Sequence, residues 1–311
     1  MNRYRIIANP TSGRGAGGRA IPLIEDLLKS HGLHYDLVCT ERPWHAAELA
    51  RAACADGYSV VVAAGGDGTA NEVLNGLMWA KEAGISRLPA LGVLCVGRGN
   101  DFAYGVGLPH RLDEGCRVLA QGQRHSIDVG RVTGGLYPQG RYFGNGVGIG
   151  FDAVVGFEAN KSRRLRGFLC YLVAALKTIF LYFRAPRVRI ACDDQALEQR
   201  SLMVSVMNGR RMGGAFMMAP DGKPDDALFD LTIAAEVSRP RILALIPRFM
   251  QGTQAGHPAI RTGRARRVVV TALEGSLPAH ADGETICTDG RELTLEIVPR
   301  QIEVISPDAH V

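Results

Sequence analysis

The spacing of hydrophobic and polar positions changes once along this chain. In the first part, short apolar runs alternate with longer segments whose apolar residues recur at helical spacing. The alternation predicts a strand over 5–9, a helix near 20–31, a strand over 33–39, a helix near 46–56, a strand over 58–64, a helix after Thr69 and a strand over 91–96. Elements in that order indicate an α/β domain built on a parallel sheet.

After about Gly122 the apolar runs become short and are separated by glycine and proline. These runs are 126–132, 142–149, 188–191, 202–207, 228–234, 267–271 and 293–298. Such a pattern is typical of a mainly antiparallel β domain. A chain of 311 residues is long enough for two ordinary cores, so we predict two domains, over 1–125 and 126–311.

A glycine-rich turn that contains one carboxylate, residues 65–69, joins the predicted strand over 58–64 to a helical segment. Glycines let the backbone approach a bulky anion, and the N–H groups at the start of the next helix favour phosphate. Asp67 would repel phosphates unless Mg²⁺ or a transferred proton lies between them. The turn therefore predicts a nucleotide site for phosphoryl transfer. The alternative is a tight connection in which Asp67 caps the helix.

Two further turns follow strands of the same predicted sheet. Residues 9–13 offer backbone donors and hydroxyls at the carboxyl end of the first strand, where open α/β sheets bind ligands. Residues 97–103 follow the strand over 91–96. Asp101 in that turn either reaches a magnesium–water network or caps the next turn, and the sequence leaves both interpretations open.

A fourth candidate lies near the C-terminus, where Asp282 and Glu284 flank a glycine. A kinase must remove a proton from its acceptor hydroxyl, and a positioned carboxylate is suited to that task. The same three residues are also typical of a simple turn.

Charge and composition restrict the partners. The formal net charge is +5, and basic residues concentrate in 161–166 and 261–267. Such clusters are either solvated surface or sites of attraction to an anionic membrane. Aromatic residues make up only 6% of the chain and no nucleic-acid-binding module is recognisable, which argues against nucleic acid as a partner.

The seven cysteines are dispersed and include no CxxC pair, which disfavours a zinc site and a disulfide framework. The N-terminus has no apolar signal region, so we expect a cytoplasmic protein. The unusually apolar segment 167–183 is short for a spanning helix and contains Lys177. It predicts either a helix that covers the second domain or an interfacial helix that faces lipid.

Taken together, these segments resemble the catalytic domain of the diacylglycerol kinase superfamily, which includes sphingosine and ceramide kinases and soluble bacterial lipid kinases. The resemblance spans nearly the whole chain. It rests on Asn9-Pro10-Thr11-Ser12-Gly13, on Gly65-Gly66-Asp67-Gly68-Thr69 with Asn71-Glu72, on Gly99-Asn100-Asp101-Phe102-Ala103, on Gly213-Gly214 with Ala219-Pro220 and Asp225-Asp226, and on Asp282-Gly283-Glu284. The turn at 65–69 alone is shared with NAD kinases and phosphofructokinases, whereas the ordered set is much more specific.

The resemblance implies a nucleotide domain like that of NAD kinase and phosphofructokinase, followed by a mainly antiparallel β-sandwich that carries the lipid cleft. The last residues of the chain would return to the first domain. It also implies that ATP is bound by residues matching Asn9, Pro10, Thr11, Ser12, Gly13, Thr40, Gly65, Gly66, Asp67, Gly68, Thr69 and Asn71. Asp282 or Glu284 would accept the proton, and we favour Glu284. A magnesium site would match the carboxylate of Asp226 and the backbone carbonyls of Lys223 and Leu228.

Two departures from the family pattern stand out. Arg98 replaces the small hydroxyl residue that commonly precedes the Gly-Asn-Asp-Phe segment, and its guanidinium would either pair with nucleotide phosphate or weaken nucleotide binding. Ala227-Leu228 replaces the usual glycine-containing loop after the paired aspartates, which bears on the metal loop.

The resulting hypothesis is an ATP-dependent lipid kinase that uses Mg²⁺. The first domain would hold Mg·ATP, the second would present a lipid hydroxyl, and Asp67 would organise magnesium or the acceptor. The alternatives are a kinase of a soluble substrate such as NAD and a non-enzymatic nucleotide-sensing regulator. We expect contact with the anionic inner face of the membrane, and the sequence leaves a homodimer open.

Overall fold

In this computed structural model the chain divides into two compact units. The first comprises Met1–Val129 and Pro299–Val311, and the second comprises Gly130–Val298. The structure describes residues 2–161, 173–174, 177–178 and 185–307. Most of the apolar segment 167–183 therefore lies outside the described residues.

Strands and helices alternate in the first unit. In chain order they are β1 (Arg3–Ala8), α1 (Ser12–Ser30), β2 (His34–Cys39), α2 (His45–Ala55), β3 (Val60–Gly65), α3 (Asp67–Glu82), β4 (Ala90–Cys95), α4 (Asp101–Gly105), α5 (Leu112–Gln121) and β5 (Arg124–Gly134), whose last residues belong to the second unit.

The first unit is built on a parallel sheet in the order β2-β1-β3-β4. Every residue of β3 and β4 is buried, and both strands are runs of valine, alanine, leucine and glycine. Strands covered on both faces need such continuous apolar sequences, and this is why both strands could be predicted from the sequence. The predicted parallel α/β architecture is confirmed.

The second unit is mainly antiparallel, as predicted. Its elements are β6 (Tyr137–Phe143), β7 (Gly146–Gly150), α6 (Phe151–Lys161), β8 (Arg187–Cys192), β9 (Gln195–Met207), β10 (Phe229–Ala235), α7 (Arg239–Gln251), β11 (Ile260–Ala265), β12 (Arg267–Glu274), β13 (Leu277–Ala281), β14 (Glu284–Gly290) and β15 (Glu292–Ile305). The final residues of β15 belong to the first unit, where Val304 pairs in parallel with Leu91 of β4.

Alternating residues of β9 contribute to two different apolar layers. Val204 and Val206 lie in a core with Phe143 and Phe229, whose rings stack with centroids 5.6 Å apart. Residues on the opposite face, such as Met203, join a second layer that includes apolar side chains of α6 and α7. The period-2 alternation of a strand thus separates a core between strands from a layer between strands and helices.

Several elements differ from the sequence-based expectation. Helix α1 is preceded by a turn from Ser12 in which Gly13, Arg14 and Gly15 adopt left-handed conformations, so its regular right-handed part begins after Gly15 instead of near residue 20. Helix α7 was not predicted, since Pro247 interrupts the helical pattern. Among the described residues, we find no helix whose length and apolar character would allow it to cross a bilayer.

Candidate active site

Three loops meet at the carboxyl edge of the parallel sheet, after β1, β3 and β4. The backbone N–H of Asn9 donates to the carbonyl of Ala64 at 3.0 Å, and the N–H of Gly97 donates to the carbonyl of Gly65 at 3.0 Å. The loops predicted separately from the sequence therefore form one structure. This edge is where open α/β sheets bind ligands.

Asn9 connects two of these loops through its side chain. Its amide Nδ2 donates to Thr69 Oγ1 at 3.0 Å, and its Oδ1 accepts from the Thr11 N–H at 3.0 Å and the Thr11 hydroxyl at 2.8 Å. The first loop is thereby fixed against the start of α3.

Glycines allow the backbones to come this close. A Cβ on Gly97 would approach the Cα of Gly66 and lie 2.8 Å from Asn100 Oδ1. Gly13 has a φ of +58°, and a Cβ there would lie 2.7 Å from the carbonyl oxygen of Val96. These glycines allow the loops to approach one another, which is a different role from the predicted approach of the backbone to an anion.

The start of α3 is suited to an anion. Gly66 is its N-cap residue, and within the described part of the chain no side chain caps this terminus. The first N–H groups of a helix lack intrahelical partners, and the helix dipole favours negative charge beside them. Backbone donors of this kind bind phosphate.

Asp67 and Asp101 converge at Gly99. A Cβ on Gly99 would lie 2.8 Å from Asp67 Oδ2 and 3.4 Å from Asp101 Oδ2. The other oxygen of Asp67 accepts the backbone N–H of Phe102 at 3.0 Å, and Asp101 is buried. Two carboxylates drawn together in this way favour a cation, and hard oxygen ligands suit Mg²⁺. The residues present fit a nucleotide-associated magnesium ion.

The other predicted nucleotide residues lie around this edge. Thr40 follows β2, and its N–H donates to the carbonyl of Ala8 at 2.8 Å. Arg98 is exposed in the loop after β4, and Asn71 is buried in α3. Sequence reasoning missed Glu72 as an anchor of α2: its carboxylate accepts the backbone N–H of Ala46 at 3.1 Å.

Asp282 and Glu284 occupy very different environments within the second unit. The buried carboxylate of Asp282 accepts the backbone N–H groups of Gly144, Asn145 and Gly146 at 2.8, 3.0 and 2.9 Å. Glu284 begins β14 and is exposed. A carboxylate held by three backbone donors is a fixed structural group, whereas an exposed one is accessible to a substrate hydroxyl.

The loop that contains Lys223, Asp226 and Leu228 is already in contact with a cationic side chain of the protein, Arg264 of β11. Arg264 Nη1 lies 3.7 Å from Asp226 Oδ2, and Arg264 Nε donates to Asp230 Oδ1 at 2.9 Å. The remaining oxygen of Asp226 accepts the Leu228 N–H at 3.1 Å. Burial raises the pKa of Asp230, and Arg264 opposes that shift. With one carboxylate that is already paired to a guanidinium, these residues fit a resident magnesium ion poorly.

Ala227 in this loop has a φ of +62°, the left-handed conformation that glycine adopts at the lowest cost. That conformation costs an L-residue roughly 1–2 kcal/mol. Ala227→Gly should therefore raise the free energy of unfolding by about 1 kcal/mol, measured by urea denaturation. Ala255→Gly, at an exposed position without positive φ, is the matched control and should not stabilise the protein. Equal effects of the two substitutions would contradict the backbone argument.

Comparison with known proteins agrees with this geometry. Residues 3–132 match the family described as the diacylglycerol kinase catalytic domain, and residues 145–306 match the YegS C-terminal NAD kinase beta sandwich-like domain. A diacylglycerol kinase of Bacillus subtilis (strain 168) is 29% identical over 286 residues, which cover 91% of this chain and 90% of the relative.

Solved structures share the fold. A diacylglycerol kinase from Bacillus anthracis str. Sterne aligns with a TM-score of 0.74 and 20% identity over 100% of this chain and 98% of its own. Yeast NADH kinase in complex with NADH aligns with a TM-score of 0.50 and 10% identity over 98% of this chain and 84% of its own. The matched families cover both units, and the chain accordingly belongs to the diacylglycerol kinase catalytic-domain family and is a phosphotransferase with an alcohol group as acceptor.

Proposed function

We propose that this protein is a lipid kinase that transfers the γ-phosphoryl group of ATP to a lipid hydroxyl. The observation that carries the proposal is the convergence of Asp67 and Asp101 at Gly99, beside the start of α3. Phosphate-binding backbone donors without carboxylates would suit binding alone. Carboxylates beside them suit the transfer of a phosphoryl group with a divalent cation.

The residues at the carboxyl edge of the first unit bind the nucleotide in this account. Backbone N–H groups of the loops 9–13 and 65–69 orient the phosphates, and exposed Arg98 pairs with a phosphate oxygen through its guanidinium. Asp67 and Asp101 would hold Mg²⁺, which neutralises charge on the phosphates when bound. Positioning and charge neutralisation supply most of the rate in phosphoryl transfer.

Glu284 acts as the general base. It accepts the proton of the acceptor hydroxyl, whose oxygen bonds to the γ-phosphorus while the bond between that phosphorus and the bridging oxygen of ADP breaks. Asp282 positions Glu284 by holding the turn 144–146 against the end of β13. The three backbone donors on Asp282 leave it poorly suited to take a proton itself.

The lipid nature of the acceptor is supported by the diacylglycerol kinases that this chain resembles over most of its length. The rival is a soluble acceptor such as NAD, which the NADH kinase fold neighbour favours. Label from γ-labelled ATP should enter the organic phase when the protein is given diacylglycerol, ceramide, sphingoid base, phosphatidylglycerol or polyprenol in mixed micelles. Label that stays in the aqueous phase, on NAD supplied in parallel, would contradict the lipid assignment.

We also propose that the protein acts in the cytoplasm and meets its substrate at an anionic membrane surface. Two arginines of the 261–267 cluster are paired: Arg264 with Asp226 and Asp230, and Arg267 with Glu296. Among the described residues of the cluster, Arg261 and Arg266 are the exposed charges that remain to attract lipid. Co-sedimentation with anionic vesicles that weakens as salt rises is the expected result. Equal binding to neutral vesicles would contradict it. A homodimer stays a prediction.

A further inference from the structure

A row of polar residues crosses the sheet of the second unit on its helix-covered face. His280 of β13 pairs with Gly148 of β7, Gly148 pairs with Ser205 of β9, and Ser205 pairs with Thr232 of β10. Residues that are opposite one another on neighbouring strands share a face of the sheet. Met203 and Met207, two positions on either side of Ser205, lie on this face in the apolar layer with α6 and α7.

Asp152, in the first turn of α6, lies over Gly148. A Cβ on Gly148 would fall 2.6 Å from His280 Nε2 and closer still to Asp152 Oδ2. The Ser205 hydroxyl lies within 3.5 Å of the same oxygen of Asp152, and the other oxygen accepts the Ala153 N–H at 2.9 Å. A glycine at position 148 is therefore what allows a carboxyl, an imidazole and a hydroxyl to approach each other.

This cluster is incompletely satisfied by the protein. His280 is 7% exposed, and its Nδ1 has no hydrogen-bond partner among the described residues. Burial raises the pKa of Asp152 to about 7 and lowers the pKa of His280 to about 4, so His280 is neutral at physiological pH. Thr232 in the same row is different, because its hydroxyl donates to the carbonyl of Met218 at 2.7 Å.

A polar cluster in an apolar layer lowers the stability of the fold when its groups lack partners. Such a cost is expected where the groups serve a ligand. The position of the cluster points to the acceptor. His280 lies on β13, and the chain passes from the end of that strand through Asp282 to the proposed base Glu284 at the start of β14. Asp152 as a residue is half-buried, while its carboxyl group is buried among the other members of the cluster.

We propose that Asp152, Ser205 and His280 determine acceptor specificity by binding a second hydrogen-bond donor of the lipid, beside the hydroxyl that is phosphorylated. Asp152 Oδ2 accepts the hydrogen bond. The acceptor class is a lipid with an additional hydroxyl, amide N–H or amine, as in a sphingoid base or a ceramide. A 1,2-diacylglycerol offers only ester oxygens next to its reacting hydroxyl and leaves the cluster without a partner. This inference rests on the proposed lipid kinase activity.

A site built to hydrogen-bond one substrate group discriminates strongly against analogues that lack it. The wild-type protein should therefore phosphorylate ceramide with a kcat/KM at least about tenfold above that for 1,2-diacylglycerol of matched chain length. In Asp152→Asn, the Ala153 N–H should retain the amide oxygen and turn the NH₂ group, a donor, toward the lipid. That variant should lose the preference through a raised KM for ceramide, with the KM for ATP unchanged.

Two further variants complete the experiment. Ser205→Ala removes one hydroxyl from the cluster and should reduce the preference by a smaller factor. Asp194→Asn, at an exposed carboxylate of the same unit, is the matched control and should behave as wild type. Thermal unfolding of each variant separates a lost contact from a lost fold, and Ser205→Ala keeps the test valid if Asp152→Asn does not fold.

The same ceramide preference in wild type and in both cluster variants would overturn the inference, as would a wild-type preference for diacylglycerol. Those results leave the lipid kinase assignment intact. Absence of label in every lipid, with label transferred to NAD, would instead refute the proposed function and this inference with it.

Discussion

Asp67→Asn should lower kcat by roughly 10²–10³-fold or more while the protein keeps its fold. The substitution removes one of the two carboxylate charges that converge at Gly99, so the site loses its affinity for a cation beside the phosphates. An asparagine Oδ1 can still accept the Phe102 N–H, which Asp67 accepts now, so the local backbone should be retained. Initial rates at saturating ATP and Mg²⁺, together with a thermal unfolding curve, measure both effects.

The matched control for this change is Asp113→Asn. Asp113 lies in the first turn of α5, as Asp67 lies in the first turn of α3, and its carboxylate is exposed and paired with Arg111 at 2.8 Å. Surface ion pairs of this kind contribute about 0–1 kcal/mol, so the control should keep its activity and nearly all of its stability. Wild-type turnover by Asp67→Asn would remove Asp67 from the mechanism.

Glu284→Gln should reduce kcat by about 10²–10⁴-fold, because the amide cannot accept the proton of the acceptor hydroxyl. The KM for ATP and the unfolding temperature should stay close to their wild-type values, since Glu284 is exposed at the start of β14. Steady-state kinetics against ATP and lipid, with a thermal scan, are the measurement.

Asp282→Asn provides the contrast. An asparagine can keep one oxygen for the N–H groups of Asn145 and Gly146, and it then turns its NH₂ group, a donor, toward the N–H of Gly144. We expect a loss of roughly 1.5–3 kcal/mol in the free energy of unfolding, as for hydrogen bonds to a charged group. A folded, inactive Asp282→Asn beside an active Glu284→Gln would reverse the roles assigned to the two carboxylates.

The parallel α/β unit could be predicted because the residues that determine each of its elements are close together in the sequence. Strands β3 and β4 are continuous apolar runs, and each ends in a glycine-containing turn, so both the element and the ligand-binding edge are visible in short stretches of sequence. That the loops after β1, β3 and β4 meet follows from a general property of parallel sheets. The side-chain contact between Asn9 and Thr69 follows from that rule and from the register of the two strands that precede these residues.

Fewer of the polar contacts of the second unit could be predicted from the sequence. Asp152, Ser205 and His280 are far apart in the sequence and meet only through the register of β13, β7 and β9, which no periodicity reveals. The same holds for Arg264, which reaches Asp226 and Asp230 from a strand with four consecutive exposed residues. A charge cluster in the sequence looked like solvated surface or a membrane contact, and its pairing could be seen only in three dimensions.

In the proposed reaction, ATP phosphorylates a lipid hydroxyl. The most direct test is to incubate the protein with a mixed lipid extract and ATP carrying oxygen-18 on its γ-phosphoryl group, and to identify the organic-phase products by mass spectrometry. A lipid kinase should form one class of lipid phosphomonoester, with heavy oxygen on the phosphoryl group and ordinary oxygen at the bridge to the lipid, and Glu284→Gln should form none of it. Heavy phosphoryl found only on a water-soluble product would contradict the account.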